Sequence, residues 1–390
     1  MGSVVLMGAT QAHPDAAATA LAGDRTTARV MHPRAAATPG MPEREALLEA
    51  AETALARGLV STAILGFDQA ATMLHASDTE MGLVRAWMQE GEYRRALAFA
   101  AHTAGAHLDS PAAGALYAWL LRIGGQGAVA SRVLAQTHER APADPVVAAT
   151  LRAFEAQSPV ASGALLDVPQ RMAPQAVILG VPAPLPSGVR QISSGVLLGD
   201  GQRALVPVEA IRGAQRIWVR NGLGQTAVAL VETVPDALAV PGFALVRLSS
   251  RLDAGNLALA SRDPFPGSPG ASVAYATAAD SEAAWPWLVQ GFFGAFSGSD
   301  GMRKLGIAAP PAHSGGPVFD AAGRLAGISV RDTDGHSLMV PASLFRGIVE
   351  SGAQTSAPQT ADGSRPATRI GIDQVYEQGL KVALQVLTLQ

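Results

Sequence analysis

The stretch that decides the fold is SGGPVFDAAGRLAGI, residues 314–328. It opens with a serine in a loop of small residues, and His313 precedes that serine. Two apolar segments then flank a Gly-containing turn, which predicts a hairpin of two strands. A small-residue loop joined directly to a hairpin is uncommon by chance. The stretch therefore predicts a β-rich region in which a small-residue loop with a serine leads into a hairpin.

Short apolar runs on either side of this stretch extend the β-rich region. Gly199-Asp200-Gly201 and Asn221-Gly222-Leu223-Gly224 each separate two such runs, which predicts two hairpins. The predicted strands are 193–198, 203–208, 217–220, 225–232, 243–248, 271–276, 324–330 and 336–340, with a turn at 332–335. Many short strands with regular turns favour an antiparallel barrel or sandwich.

Residues 43–156 have the opposite character, with apolar residues at helical spacing and few β-branched runs. Gly58, Gly91 and Gly125 are 33 and 34 residues apart, and an alanine follows each after five positions, at 63, 96 and 130. Each glycine is expected to end the first helix of a hairpin, and each alanine to let the second helix approach closely.

The segment EGEYRRAL, residues 90–97, resembles the inter-helix turn of tetratricopeptide repeats, and Pro142 stands where such a repeat closes. Ala54 and Ala100 depart from that pattern, because aromatic residues are usual there. Two interpretations of these three repeats stay open. One is a concave surface for peptides or docking, and the other is a helical scaffold that only packs on its neighbour.

Residues from about Val177 to Ser351 resemble the chymotrypsin-fold serine proteases, especially the bacterial high-temperature-requirement type. The match includes the 314–328 stretch and Met339-Val340-Pro341. The resemblance implies two antiparallel barrels with Ser314 as the nucleophile. We therefore expect a multidomain α and β chain, in which a helical-hairpin array precedes a two-barrel trypsin-like β domain.

The expected boundaries follow from these patterns. Residues 1–42 form a flexible leader or signal remnant, 43–156 the helical repeats, 157–175 a linker, 176–351 the trypsin-like (pseudo)protease domain, 352–368 a second linker, and 369–390 a C-terminal helix and strand. The terminal strand, 382–389, is apolar and needs a sheet to join. We expect it to return to the barrel, the alternative being the edge of a partner's sheet.

The catalytic pattern of that family is broken at several positions. A serine needs a base to take its proton and a carboxylate to orient that base. Glu209 occupies the histidine slot, and Gly242 the slot of the orienting aspartate. Ala312 stands at an oxyanion-hole position that is usually glycine. Ser314 is therefore expected to be a vestigial nucleophile.

The sequence offers two kinds of substitute for the lost base. His313 adjoins the nucleophile and is expected to project away from its hydroxyl, and His336 lies on the following hairpin. Alternatively Ser314, Glu209 and Asp236 would resemble, in residue types only, acidic serine peptidases. A carboxylate with a pKa near its ordinary value of about 4.3 is a weak base at pH 7, so such an enzyme would work in acid.

Composition limits the remaining classes. The 29 Lys and Arg residues are scattered and the net charge is −3 with a pI near 6.2, so nucleic acid is not an expected partner. The sequence has no cysteine, no phosphate-binding glycine loop and no helical His-x-x-x-His pair among its eight histidines, so neither a cofactor nor a metal site is expected. No transmembrane segment is predicted.

The aromatic run 285–293 is expected in the core, the alternative being a lining of the degenerate cleft.

These patterns together predict a non-catalytic trypsin-like pseudoprotease that binds a protein or peptide or supports assembly. An active serine endopeptidase with rearranged residues and a structural subunit of a larger envelope complex are the alternatives. The family resemblance implies a periplasmic or secreted location, with the cytoplasm as the alternative.

Overall fold

The computed structural model describes residues 40–156, 165–179, 184–232, 242–276, 281–297, 301–307, 314–352 and 368–390. Gly40–Gln390 form one compact unit. Residues 1–39 of the predicted 1–42 leader and most of the predicted second linker lie outside the described residues, and α1 begins at Met41, within the predicted leader. No helix in the described ranges is long and apolar enough to cross a membrane.

The first half of this unit is an array of helical hairpins, as predicted. Its helices are α1 (Met41–Ala56), α2 (Val60–Met73), α3 (Ser77–Glu90), α4 (Tyr93–Ala106), α5 (Pro111–Ile123), α6 (Gly127–Arg140) and α7 (Pro145–Glu155). Gly58, Gly91 and Gly125 lie in the turns within the three hairpins, and all have positive φ. The three alanines that follow them are fully buried. The periodicity thus locates the hairpins, while membership in the tetratricopeptide family stays a prediction.

The second half forms two closed antiparallel barrels, which confirms the predicted fold class. After α8 (Pro174–Leu179) come β1 (Arg190–Leu197), β2 (Arg203–Pro207), α9 (Val208–Ile211), β3 (Arg216–Asn221), β4 (Thr226–Val231) and β5 (Phe243–Leu248). The second barrel contains β6 (Pro269–Ala274), β7 (Trp287–Phe296), β8 (Arg303–Gly306), β9 (Pro317–Asp320), β10 (Leu325–Arg331) and β11 (Ser337–Pro341), followed by α10 (Arg346–Gly352). The chain ends with α11 (Ile372–Val382) and β12 (Ala383–Leu389).

Both hairpins predicted from glycine-containing turns are present, β1–β2 and β3–β4. Strands β7 and β8 were not predicted. β7 contains Gly291 and Gly294 and mixes buried with exposed aromatic residues, so it lacks a clear period of two. β8 has only four residues. Their pairing partners, and not their local sequence, fix them as strands.

The C-terminal strand returns to the first barrel, which confirms the favoured expectation. β12 pairs antiparallel with β1 on one side and with β3 on the other. Its residues from Ala383 to Thr388 are all buried. Without β12 the strands β1 and β3 would both have open edges, so the end of the chain closes this barrel.

The hairpin turns of the array face the barrels. A side chain at Gly58 would overlap the carbonyl oxygen of Gln170, next to the first barrel. A Cβ at Gly91 would lie 2.9 Å from Leu223 in the β3–β4 turn, and one at Gly125 would lie 2.5 Å from Leu288 in β7. Glycine at these turns therefore serves both the left-handed backbone and the close approach of the barrels.

The second half of the predicted 157–175 linker is packed rather than free. Leu165 and Leu166 are buried in the core that spans the array and the first barrel. The Gln89 side chain donates to the carbonyl of Val168 (3.0 Å) and accepts from the backbone N–H of Gln170 (2.7 Å). An extended segment of the chain itself thus lies along α3 of the array.

Helix α11 contacts the array and both barrels. Its Tyr376 ring packs edge-on against Tyr93 of α4, with centroids 4.5 Å apart. The backbone N–H of Gly222 in the first barrel donates to Leu380 (2.8 Å), and Gly379 lies against Val273 in the second. One helix therefore joins the three parts into a single body.

Candidate active site

Ser314 lies where the two barrels meet. Its carbonyl accepts a hydrogen bond from the backbone N–H of Ser194 in β1 (3.0 Å), and the N–H of Gly315 donates to Ser329 in β10 (2.7 Å). Gly315 has a φ of 93°, and a Cβ there would overlap the carbonyl oxygen of Ser194. The loop is thus held between the barrels by backbone bonds, and the glycine after the serine is required sterically.

Ser194 is a positioning residue that the sequence analysis did not identify. Its side chain is buried and its hydroxyl accepts from the backbone N–H of Tyr275, the residue that directly follows β6 (3.0 Å). It therefore links β1, the Ser314 loop and the second barrel. No local sequence signal indicates this role, because it depends on how the two barrels pack.

Glu209, the residue in the predicted histidine slot, lies in the short helix α9 that follows β2. Its side chain is 75% exposed, and its carboxylate accepts from the Arg212 guanidinium at 2.6 Å. The carboxylate is therefore solvated and engaged by a neighbouring cation. The role of Glu209 as an acidic base stays a prediction.

Gly242, in the predicted aspartate slot, immediately precedes β5. Its carbonyl accepts from the backbone N–H of Val208 (2.9 Å), which places it beside the helix that contains Glu209. Gly242 has a φ of 77° and is exposed, with open space where a side chain would begin. The backbone here favours glycine, so an aspartate in this conformation would be strained.

The fold brings Ser314, Glu209 and Gly242, the described residues of the predicted catalytic pattern, into one region. Pro207, at the end of β2, packs against Gly315, and it leads directly into Val208 and Glu209. Gly242 is joined to Val208 by the bond described above. Ala312 and His313 lie outside the described residues, and so does Asp236, so their predicted roles stay predictions.

The serine has no base in the described part of the structure. Within those ranges no side chain forms a hydrogen bond with the Ser314 hydroxyl. His336 is exposed on the β10–β11 turn, where its Nδ1 lies 3.0 Å from Asp332. Partial desolvation raises the pKa of Asp332, but hydrogen bonds from His336 outweigh it and hold that pKa below its usual value. His336 is thus engaged by this turn.

The Ser314 loop lies at the junction of the two barrels, and the reactivity of its serine depends on whether a base adjoins the hydroxyl. An unassisted hydroxyl is a weak nucleophile at neutral pH, and general-base catalysis requires a base within about 2.6–3.2 Å, or one water, of the proton. The described groups supply no such base.

The aromatic run 285–293 divides between core and surface. Trp285 is buried, and its indole N–H donates to the carbonyl of Asp167 in the segment along α3 (2.9 Å). Phe293 is buried in the second barrel, whereas Phe292 is exposed. The expectation of core packing is confirmed for the two buried residues.

Comparisons with known proteins concern the fold. No protein-family model and no curated protein matches the chain. Among solved structures, it is similar to the MamO protease domain from Magnetospirillum magneticum in its apo form, with 16% identity over 42% of this chain and 91% of that one, at a TM-score of 0.34.

Two further structures have the same level of similarity. The serine endoprotease from Yersinia pestis is 17% identical over 43% of this chain and 62% of its own, with a TM-score of 0.34. The HtrA-type protease AlgW with a decapeptide is 17% identical over 42% of this chain and 52% of its own, with a TM-score of 0.35. Identities and TM-scores this low add nothing about chemistry to the barrels described above.

Proposed function

We propose that the chain is a non-catalytic trypsin-like module that binds an extended segment of a protein partner. The main support for the absence of catalysis is that the Ser314 hydroxyl has no base among the described residues. Glu209 supports the same conclusion, because it is exposed and paired with Arg212. The Ser314 loop then serves to join the barrels.

The binding half of the proposal is supported by an open cavity between the array and the first barrel. It has a volume of about 770 Å³, within the range typical of ligand sites. Leu59, Met172 and Leu185 give it an apolar wall, and Arg57 and Arg220 add positive charge. This lining suits a peptide that offers apolar and acidic side chains.

The cavity has a rigid frame, which suits recognition of an extended segment. Its lining includes the segment already held along α3 and the β3–β4 hairpin. Pre-formed walls reduce the entropy lost on binding. The array therefore holds the segment that lies along α3, and the partner's segment occupies the cavity next to it.

Peptide hydrolysis tests the catalytic half. The chain and its Ser314→Ala variant are compared on an unfolded protein substrate at pH 3–5 and at pH 7–8. We expect equal background rates at every pH. A rate that disappears in the variant would instead establish an active endopeptidase, with its pH optimum distinguishing an acidic base from an imidazole.

Photocrosslinking tests the binding half independently. A photoreactive residue replaces Leu59, which lines the cavity just before α2, or Leu65, which is exposed on α2. We expect an unfolded polypeptide rich in apolar and acidic residues to crosslink at position 59 and not at 65. Equal yields at both positions would contradict this cavity as the binding site.

A further inference from the structure

Three side chains that could bind a metal converge at one end of the helical array. His75 lies in the turn between α2 and α3, Glu80 in the first turns of α3, and His107 immediately after α4. One ligand atom from each lies within 4.8 Å of the other two. His75 Nε2 is 2.5 Å from one Glu80 oxygen, and His107 Nε2 is 3.5 Å from the other.

The carboxylate at the centre of this cluster is buried, and its ion-pair partners among the described residues are histidines. The Glu80 side chain is only 4% exposed, and neither oxygen accepts a hydrogen bond. His107 Nε2 is also buried and makes no hydrogen bond. Among the described residues, no lysine or arginine pairs with Glu80. Because an ionised carboxylate is costly to bury alone, Glu80 needs a positive charge beside it, which either a protonated histidine or a bound metal ion would supply.

The donor atoms suit zinc. Imidazole nitrogen with carboxylate oxygen is a common zinc ligand set, whereas calcium and magnesium prefer sites built from oxygen alone. Tetrahedral zinc with bonds of about 2.0 Å needs ligand atoms about 3.3 Å apart. The separations in the cluster, from 2.5 Å to at most 4.8 Å, bracket that value.

We propose that His75, Glu80 and His107 bind a zinc ion, and that His102 supplies a fourth ligand. His102 lies on the last turns of α4, and its Nε2 is 4.0 Å from the same Glu80 oxygen that His75 approaches. Its ring centroid is 6.4 Å from that of His75. The carbonyl end of α4 faces the site at His107 and favours a positive ion.

The repeat architecture explains how residues far apart in sequence form this site. His75 and His107 both follow the second helix of a hairpin, about one repeat apart, and neighbouring repeats stack. No single helix presents the ligands, which is why the search for a helical His-x-x-x-His pair predicted no metal site. The site proposed here goes against that prediction.

The site lies at the end of the array that is opposite the barrels. Glu80 is near the start of α3, and the turn at Gly91, which faces the first barrel, is at its other end. The 14 residues of α3 span about 21 Å. The ion would therefore clamp α4 to the α2–α3 turn without entering the Ser314 region.

Zinc titration of the full chain, without an affinity tag and after treatment with a chelator, tests the proposal. We expect one zinc ion per chain by calorimetry and native mass spectrometry, and tetrahedral absorption bands when Co²⁺ replaces zinc. The His75→Ala/His107→Ala variant should bind zinc at least about tenfold more weakly, since loss of even outer-shell partners costs 10- to 100-fold.

His336→Ala is the matched control, because His336 belongs to a second, exposed group with Asp332 and Asp334. We expect this control to keep the full affinity. Unchanged affinity in the double variant, loss of affinity in the control, or no binding by the chain would each overturn the proposal. Since the double alanine variant removes buried volume, Glu80→Gln keeps the shape of the site and must also lose the ion while retaining its circular dichroism.

Discussion

The two barrels have the same strand order but are built from the chain in different ways. If the strands of the second barrel are numbered one to six along the chain, their order around the ring is 1-2-3-6-5-4. The first barrel follows the same order only if β12 is counted as its first strand and β1 as its second. The end of the chain therefore fills the position that β6 fills in the other barrel.

The second barrel forms from one continuous stretch of sequence, whereas the first barrel requires a contact between distant parts of the chain. All six strands of the second barrel come from residues 269–341, whereas the first barrel combines residues 190–248 with 383–389. Closing a long loop costs chain entropy before any contact compensates for it. The first barrel therefore depends on α11 and β12 being held in place by the array and the second barrel.

Removal of residues 368–390 should have the largest effect. Leu384, Val386 and Leu387 are fully buried, and at about 1.5–3 kcal/mol each their loss amounts to about 5–9 kcal/mol. That is comparable to the whole stability of a typical domain, about 5–15 kcal/mol. We expect the first barrel to unfold, as measured by circular dichroism and urea denaturation.

A peptide of residues 368–390, added separately, provides the control for this deletion. It should restore the fold, whereas a peptide with Leu384→Asp and Val386→Asp should not. A truncated chain that keeps the original urea midpoint would show that β12 is dispensable and would remove the distinction between the barrels.

Gly58→Ala tests the contact between the array and the segment before the first barrel. Any L-residue at a φ of 71° costs about 1–2 kcal/mol, and overlap with the Gln170 backbone adds about 1–3 kcal/mol. Gly213→Ala is the matched control, because Gly213 has a φ of 74° and open space around it. Equal losses of stability in the two variants would contradict a tight array–barrel contact.

Gln89→Ala should have an intermediate effect. It leaves the carbonyl of Val168 and the N–H of Gln170 without their partner in a buried site, which costs about 1–3 kcal/mol. Gln69→Ala, on the exposed face of α2, should cost little. Thermal unfolding of both variants measures the difference. Identical melting temperatures would contradict the claim that Gln89 holds the 165–173 segment against α3.

The smallest effect is expected from the ion pair between α4 and α11. Arg94 Nε lies 3.2 Å from Glu377, and the arginine side chain is half exposed. Such pairs contribute about 0.2–1 kcal/mol and are screened by salt. A double-mutant cycle of Arg94→Ala and Glu377→Ala at low and high salt checks this, and a coupling that persists at high salt would be inconsistent with it.

Much of the fold was predictable because its signals are local. Glycine-containing turns identified the hairpins around 199–201 and 221–224, and the spacing of Gly58, Gly91 and Gly125 identified the helical hairpins. The sequence predicted that β12 returns to the barrel but not which strands it pairs with. Its pairing with β1 and β3 depends on contacts far apart in sequence.

The candidate sites were less predictable for the same reason. Ser314 is identified by its local loop, but the fact that Glu209 is solvated and bound to Arg212 emerges only from the packed structure. His75, Glu80 and His107 have no local pattern, although two of them lie one repeat apart. Aligning the repeats before searching for ligands would have brought these two histidines together.

The central claim, that Ser314 is not activated, is tested most directly by a fluorophosphonate probe. Such a probe attaches covalently to serines whose hydroxyl is ionised by a base. We predict that the folded chain gains no mass at Ser314 across pH 4–8 under conditions that fully label trypsin. Stoichiometric labelling at Ser314 that the Ser314→Ala variant abolishes would contradict the account.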